Sequence, residues 1–167
     1  MKRLIDVYRL SERRLRESGD FEVSELPRLG SHAGAFTGGL LHWEATGTEG
    51  RRGMPGARLL VTGEIRGVCC RCGKPLVLAV ERDTPFLFAA SEAQADAIPL
   101  AEDEDDEIVV GSSRFDAAGW VEEEVLLSLP LYPSHDGCES PANPRKGEED
   151  GAKRESPFAV LASLKKN

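Results

Sequence analysis

The sequence predicts an α+β fold: a mainly antiparallel sheet, one or two helices packed against it, and a partly disordered C-terminal tail. Three observations predict it. Residues 58–68 and 76–81 read as strands on either side of a tight Cys-rich turn, the pattern of an antiparallel hairpin. Residues 117–128 carry apolar side chains at helical spacing behind Asp116. Residues 139–155 are rich in Glu, Pro, Gly, Lys and Arg, a composition that buries too little apolar surface to order a chain. The expected organisation is one globular domain over 1–138, a disordered linker over 139–155, and a short helix or docking segment over 156–167.

From the start of the chain, residues 6–18 read as a short helix, with Ser11 as a candidate N-cap. Arg13, Arg14 and Arg16 crowd this segment; they form either a basic patch facing RNA or a solvated helix face. Residues 22–34, with Pro27, Gly30 and Gly34, read mostly as loop. Residues 35–44 supply a strand through Phe36, Leu40, Leu41 and Trp43. The Gly-rich run from Gly47 to Gly56 reads as a flexible connection, with Arg51 and Arg52 near its tip, where long cationic side chains reach a phosphate backbone.

In the strand over 58–68, Leu59, Val61 and Ile65 fall on one face and Thr62, Glu64 and Arg66 on the other. After the Cys turn, residues 76–81 form a second strand, and Pro85, Phe86 and Phe88 continue in extended form after a break. Ser91–Ala97 reads as a helical turn stopped before Pro99. The acidic run at 102–107 repels itself and favours an exposed loop; it lacks the spaced carboxylates and Gly of a hard-cation loop. Ile108–Val110 reads as a strand. In the helix over 117–128, Val121, Val125 and Leu129 line one face, Trp120 and Leu126 widen it, and Glu122 and Glu123 point outward. In the tail, Ser156 and Pro157 suit a helix start, Phe158, Leu161 and Leu164 share a stripe, and Lys165 and Lys166 suit the C-terminus. That stripe suits docking on a partner or on the same molecule.

Charge is divided unevenly. Residues 1–75 hold 13 Lys/Arg and 9 Asp/Glu, a net of +4; residues 76–167 hold 8 and 20, a net of -12. The first part suits a phosphate polymer, and the second suits a basic partner or simply solubility. The start of the chain lacks the apolar stretch of a signal peptide, and no run is long enough to span a membrane, so a cytoplasmic protein with reduced cysteines is expected.

The chemistry concentrates in Cys69-Cys70-Arg71-Cys72 and His135-Asp136-Gly137-Cys138. Read as ligands, Cys69-x2-Cys72 and His135-x2-Cys138 are two close pairs on separate loops, the way tetrahedral structural zinc is built. Read without metal, the same residues are a hairpin turn with reduced, partly buried thiols. Redox catalysis is the weaker reading, because Gly73, Lys74, Pro75 and a strand follow the pair where a thiol oxidoreductase needs a helix N-terminus. There is no phosphate-binding Gly loop, no GxSxG and no HExxH, and the three histidines leave few acid–base options. His32 and His42 read as bystanders, and no enzyme is expected.

Three blocks carry a family resemblance: Cys69-Cys-Arg-Cys72-Gly-Lys-Pro75, then Glu123-Glu-Val-Leu-Leu-Ser-Leu-Pro-Leu-Tyr-Pro-Ser-His135, then Ser156-Pro-Phe-Ala-Val-Leu-Ala-Ser-Leu-Lys-Lys166. In order and spacing the chain resembles the YceD family. The resemblance implies a bacterial cytoplasmic protein needed for normal levels of 23S ribosomal RNA, with a role in large-subunit biogenesis and no catalytic residue. It carries the family's Cys motif onto Cys69 and Cys72 and its late Cys onto Cys138. Here the His135-to-Cys138 spacing is shorter than in the enterobacterial pattern, a second His near that Cys is missing, and Cys70 is extra. The expected partners are precursor 23S ribosomal RNA, a large-subunit ribosomal protein, or both, with no membrane and no DNA. The phosphate-contact candidates are Arg13, Arg14, Arg16, Arg51, Arg52, Arg71 and Lys74. The alternative is a protein–protein adaptor that holds a basic ribosomal protein without touching RNA.

Overall fold

The computed structural model describes residues 3–99 and 105–138, except for the side chain of Arg52. The expected linker over 139–155, the segment over 156–167 with Phe158, Leu161 and Leu164, and the first part of the acidic run lie outside the described residues. Strand β1 (Leu4–Ile5) leads into helix α1 (Val7–Glu12), and strand β2 (Arg16–Glu22) follows. A 3₁₀ turn (Val23–Glu25) and the short helix α2 (Pro27–Gly30) come next. Long strands β3 (Gly38–Glu49), β4 (Pro55–Val68) and β5 (Pro75–Ala89) form the centre of the sheet. The chain closes with α3 (Glu92–Asp96), β6 (Glu107–Val110), β7 (Phe115–Asp116) and α4 (Ala117–Ser128). The main sheet has the order β2-β3-β4-β5-β6, antiparallel except for the parallel pair β5–β6; β1 and β7 form a small antiparallel pair of their own.

One face of the sheet makes the core. Trp43, Leu59, Val61, Ile65, Phe86 and Phe88 are buried there with Val121 and Val125 of α4. Trp120 meets Phe86 edge-on at 4.9 Å and Phe115 at 5.4 Å, geometry that suits the ring quadrupoles. The alternation expected over 58–68 is present, with Leu59, Val61 and Ile65 fully buried and Glu64 and Arg66 exposed. Asp116 caps α4, its side chain accepting from the Gly119 N–H. Ser91 caps α3 in the same way from the Gln94 N–H.

Several elements differ from expectation. The first helix stops at Glu12 because Arg14 adopts a left-handed φ of 48°, which turns the chain into β2. Asp6, not Ser11, caps it, accepting from the N–H groups of Tyr8 and Arg9. Ser11 lies inside the helix, donating to the Thr48 carbonyl and accepting from the Gly56 N–H, so it fastens α1 to both central strands. Residues 22–34 hold two short helical turns instead of loop. The Gly47–Gly56 stretch belongs largely to β3 and β4, and Pro85 sits within a continuous β5 without breaking it.

Glu122 is the instructive correction. It is 4% exposed, and its Oε1 accepts from the Arg28 N–H at 2.6 Å and the Leu29 N–H at 3.2 Å. A side chain of α4 thus satisfies first-turn donors of α2, which has no side-chain cap of its own. Glu124 is also buried, accepting from the Thr84 hydroxyl at 2.6 Å with Arg82 at 3.4 Å. Only Glu123 points outward as expected, where it pairs with the Arg28 guanidinium. Glu122→Ala is expected to destabilise the fold by about 1–3 kcal/mol through the two orphaned N–H groups, and Glu123→Ala by less, as read from urea unfolding midpoints.

Gly39 and Gly63 permit the close approach of β3 to β4. Both have positive φ, 129° and 151°, and a Cβ on either would lie 2.1–2.2 Å from a carbonyl oxygen of the facing strand. Gly63→Ala is therefore expected to cost about 1–3 kcal/mol from backbone strain alone, with equilibrium denaturation as the check.

Candidate metal centre and cationic surfaces

The β4–β5 hairpin ends in a knuckle. Cys69 lies just past β4 and accepts from the Gly73 N–H through its carbonyl, and Gly73 takes the left-handed φ of 68° that the turn requires. The second loop has the same device: Gly137, with φ 66°, precedes Cys138, whose N–H bonds the His135 carbonyl. Two hydrogen bonds to backbone carbonyls join the loops. The Cys70 N–H donates to the Pro133 carbonyl at 2.8 Å, and the Arg71 guanidinium donates to the Cys138 carbonyl at 2.9 Å.

The donor atoms of Cys69, Cys72, His135 and Cys138 all lie within 4.8 Å of one another. Cys69 Sγ is 3.7 Å from Cys138 Sγ, and Cys72 Sγ is 3.6 Å from His135 Nδ1. Donors bound tetrahedrally at about 2.3 Å stand about 3.8 Å apart, so both contacts match the edge of such a site. His135 Nε2 is 2.8 Å from the Pro75 carbonyl. A proton on Nε2 satisfies that carbonyl and leaves the Nδ1 lone pair aimed at the thiols, the usual outer support of a ligating imidazole. Cys70 stands apart, exposed, with its thiol 3.5 Å from the Ala33 carbonyl. The cluster could hold a metal ion, and its three sulfurs and one nitrogen suit a borderline-soft cation.

The thiols differ in acidity. Burial pushes the Cys69 thiol up, but the N–H groups of Cys72, Arg71 and His135, helped by the Cys72 thiol, outweigh it and bring the pKa down to about 6. Burial pushes Cys138 up, and hydrogen bonding to Cys72 and Cys69 together with their charge holds it at about 11. In metal-free protein one thiolate is expected to ionise near pH 6, and Cys69→Ser removes that step from an ultraviolet thiolate titration. The linkage signs follow. The lowered Cys69 pKa favours the folded knuckle above the ordinary thiol pKa, and that contribution is lost as pH falls through about 6. The raised Cys138 pKa favours it below the ordinary value, and that contribution is lost as pH rises through about 11.

The seven cationic candidates fall into two groups. Arg13, Arg14, Arg16, Arg51 and Arg52 lie toward the β3–β4 turn. Arg71 and Lys74 lie at the knuckle, the far end of a strand of 14 residues, roughly 40 Å away. In the first group Arg14 pairs with Glu49 at 3.2 Å, Arg16 with Glu44 at 3.3 Å, and Arg51 with Asp106 at 3.4 Å. Arg13 caps the end of α1 and is exposed, Arg52 falls in the turn Arg51–Gly53 with its side chain outside the described residues, and Arg16 is on β2 instead of the helix. At the knuckle, Arg71 and Lys74 are exposed and have no carboxylate partner among the described residues. His32 stacks on Phe36 and His42 meets Asp20 at 2.8 Å, and neither is among the clustered donors.

A family model described as "Large ribosomal RNA subunit accumulation protein YceD" matches residues 57–165, more than half of the chain. The chain belongs to the YceD family. Its match to a YceD protein of Haemophilus influenzae, described as a large ribosomal RNA subunit accumulation protein, has 35% identity over 102 residues, 58% of this chain and 58% of that protein. The chain thus spans less than two thirds of that relative's length. No solved structure matches the chain. The YceD match takes in β4 from Ala57 onward, β5, α4 and all four clustered residues. The family description names an accumulation role and no reaction. Among the described residues no helix is long and apolar enough to cross a membrane.

The sequence pointed to the four clustered residues and to the knuckle cations. It did not reveal Glu122 as a cap or the pairing of Arg14, Arg16 and Arg51, because both depend on which distant segments meet.

Proposed function

We propose that the protein is a non-enzymatic factor in the accumulation of 23S ribosomal RNA during large-subunit biogenesis, acting by binding precursor RNA or an early ribosomal protein. Membership of the YceD family carries this reading. The knuckle supports the RNA arm, since Arg71 and Lys74 have no carboxylate partner among the described residues and zinc knuckles are a recurrent RNA-binding device. In this reading Cys69, Cys72, His135 and Cys138 hold zinc. The ion is structural: four protein ligands leave no open position for a substrate, and binding fastens the 131–138 arm to the hairpin. Cytoplasmic location follows from the ribosomal role.

A second reading has support of its own. Arg14, Arg16 and Arg51 are already neutralised by carboxylates, which favours an adaptor that holds a basic ribosomal protein with the acidic part of the chain. Crosslinking in growing cells, followed by sequencing of bound RNA and identification of bound proteins, separates the two. Recovery of large-subunit RNA upholds direct contact; recovery of a ribosomal protein alone transfers the role to the adaptor.

With direct contact, affinity for large-subunit RNA fragments falls steeply as salt rises, and Lys74→Ala flattens the log–log slope by about 0.7. An affinity independent of salt sinks the electrostatic account. Elemental analysis of the purified chain is expected to give one zinc per protein, abolished by Cys69→Ser or Cys138→Ser. A chain purified without metal in zinc-supplemented medium counts against the site.

A further inference from the structure

The exit of α4 presents a concentrated apolar patch. Leu127 is 58% exposed, and Leu131 and Tyr132 are each 71% exposed, the highest values among the large apolar side chains described. Three such residues within six positions differ from the singly exposed Leu40, Leu60 and Val77, each of which faces solvent from a separate strand position. The patch is held from both sides. Upstream, Leu126 and Leu129 pack against the core. Downstream, Pro133 is buried and its carbonyl receives the Cys70 N–H. Leu131 and Tyr132 therefore project from an anchored segment.

We propose that this patch seats the chain's own C-terminal segment, residues 156–167. The path of the chain supports that occupant. Tyr132 precedes Cys138 by six residues, so at most about 20 Å separates the patch from the last described residue. Nineteen residues then lead from Cys138 to Phe158. By composition, rich in Glu, Pro, Gly and Lys, this stretch reads as a linker, and a random-coil chain of that length has a root-mean-square span of about 25 Å, comparable to the distance to be bridged. The chemistry supports it as well: read as a helix, the segment carries Phe158, Leu161 and Leu164 on one stripe, an apolar triad to cover an apolar triad. The family match runs through residue 165, so it includes the patch and the apolar stripe of the segment. This inference stands apart from the ribosomal reading.

Linker and span together give an effective concentration in the millimolar range. A segment that binds in trans with a Kd on the order of 0.1 mM is then docked in roughly nine molecules of ten. The test compares amide spectra of the full chain, of the chain ending at Glu155, and of that shortened chain titrated with a synthetic peptide of residues 156–167. The signals of 127–132 in the full chain are expected to match those of the shortened chain saturated with peptide. Phe158→Ala in the full chain moves them toward the free shortened form. Leu131→Glu, and separately Tyr132→Ser, which lies beyond the helix, weaken the peptide by about tenfold or more. Identical spectra at 127–132 with and without the segment overturn the proposal, as does peptide affinity indifferent to both substitutions. Equal concentration-dependent dimerisation of both chains through the patch also overturns it, assigning the surface to a second copy.

Discussion

The arrangement depends on the length and closeness of the β4–β5 hairpin. Strands of 14 and 15 residues in continuous register place the Cys turn at one end of the molecule and the α1 and β3–β4 contacts at the other. One face of this ladder supplies most of the core, and α4 lies against it. The knuckle inherits its position from the ladder: the two loops meet because the hairpin carries Cys69 and Cys72 to where α4 delivers His135 and Cys138. Hydrogen bonds across the meeting point, from the Cys70 N–H to the Pro133 carbonyl and from the Arg71 guanidinium to the Cys138 carbonyl, draw the donors together through polar contacts that involve no sulfur.

Charge is organised by the same frame. Buried carboxylates of α4 serve as internal acceptors, one for the N–H groups of α2 and one for Thr84 and Arg82. Surface carboxylates on β3 and near β6 take up the arginines at the β3–β4 end. The exposed Arg14–Glu49 pair contributes little to stability and is screened by salt, whereas Arg51–Asp106 is partly buried and screened less. The larger effect of these pairs is on the surface potential: they neutralise Arg14, Arg16 and Arg51, whereas Arg71 and Lys74 have no carboxylate partner among the described residues.

Elements with a strong local signal were legible in the sequence. The Asp116 cap and the apolar period behind it define α4, the alternation at 59, 61 and 65 defines β4, and Ser91 marks α3. The pairing of Cys69-x2-Cys72 with His135-x2-Cys138 was legible because ligand spacing reflects local loop geometry. Features set by tertiary contact were not. Strand β2, with Arg16, Glu17 and Asp20, has no apolar alternation and exists because β3 offers it an edge. A pattern of charged residues on a helix suggested that Glu122 faces water, yet the neighbouring α2 brings two N–H groups that make a buried carboxylate favourable. The arginines near the start read as one helical segment, either a basic patch or a solvated face; the left-handed turn at Arg14 divides them between a helix end and a strand.

The 63-residue separation of Cys72 and His135 also has a meaning in time. At about 5–20 residues per second, a ribosome that has just made Cys72 needs roughly 3–13 s to supply the imidazole and the last sulfur. Throughout that interval the nascent hairpin carries three neighbouring cysteines with half of their eventual company missing. The growing polypeptide is then most open to oxidants and to capture of a stray ion, and the reducing state of its surroundings during synthesis decides whether the finished knuckle closes correctly.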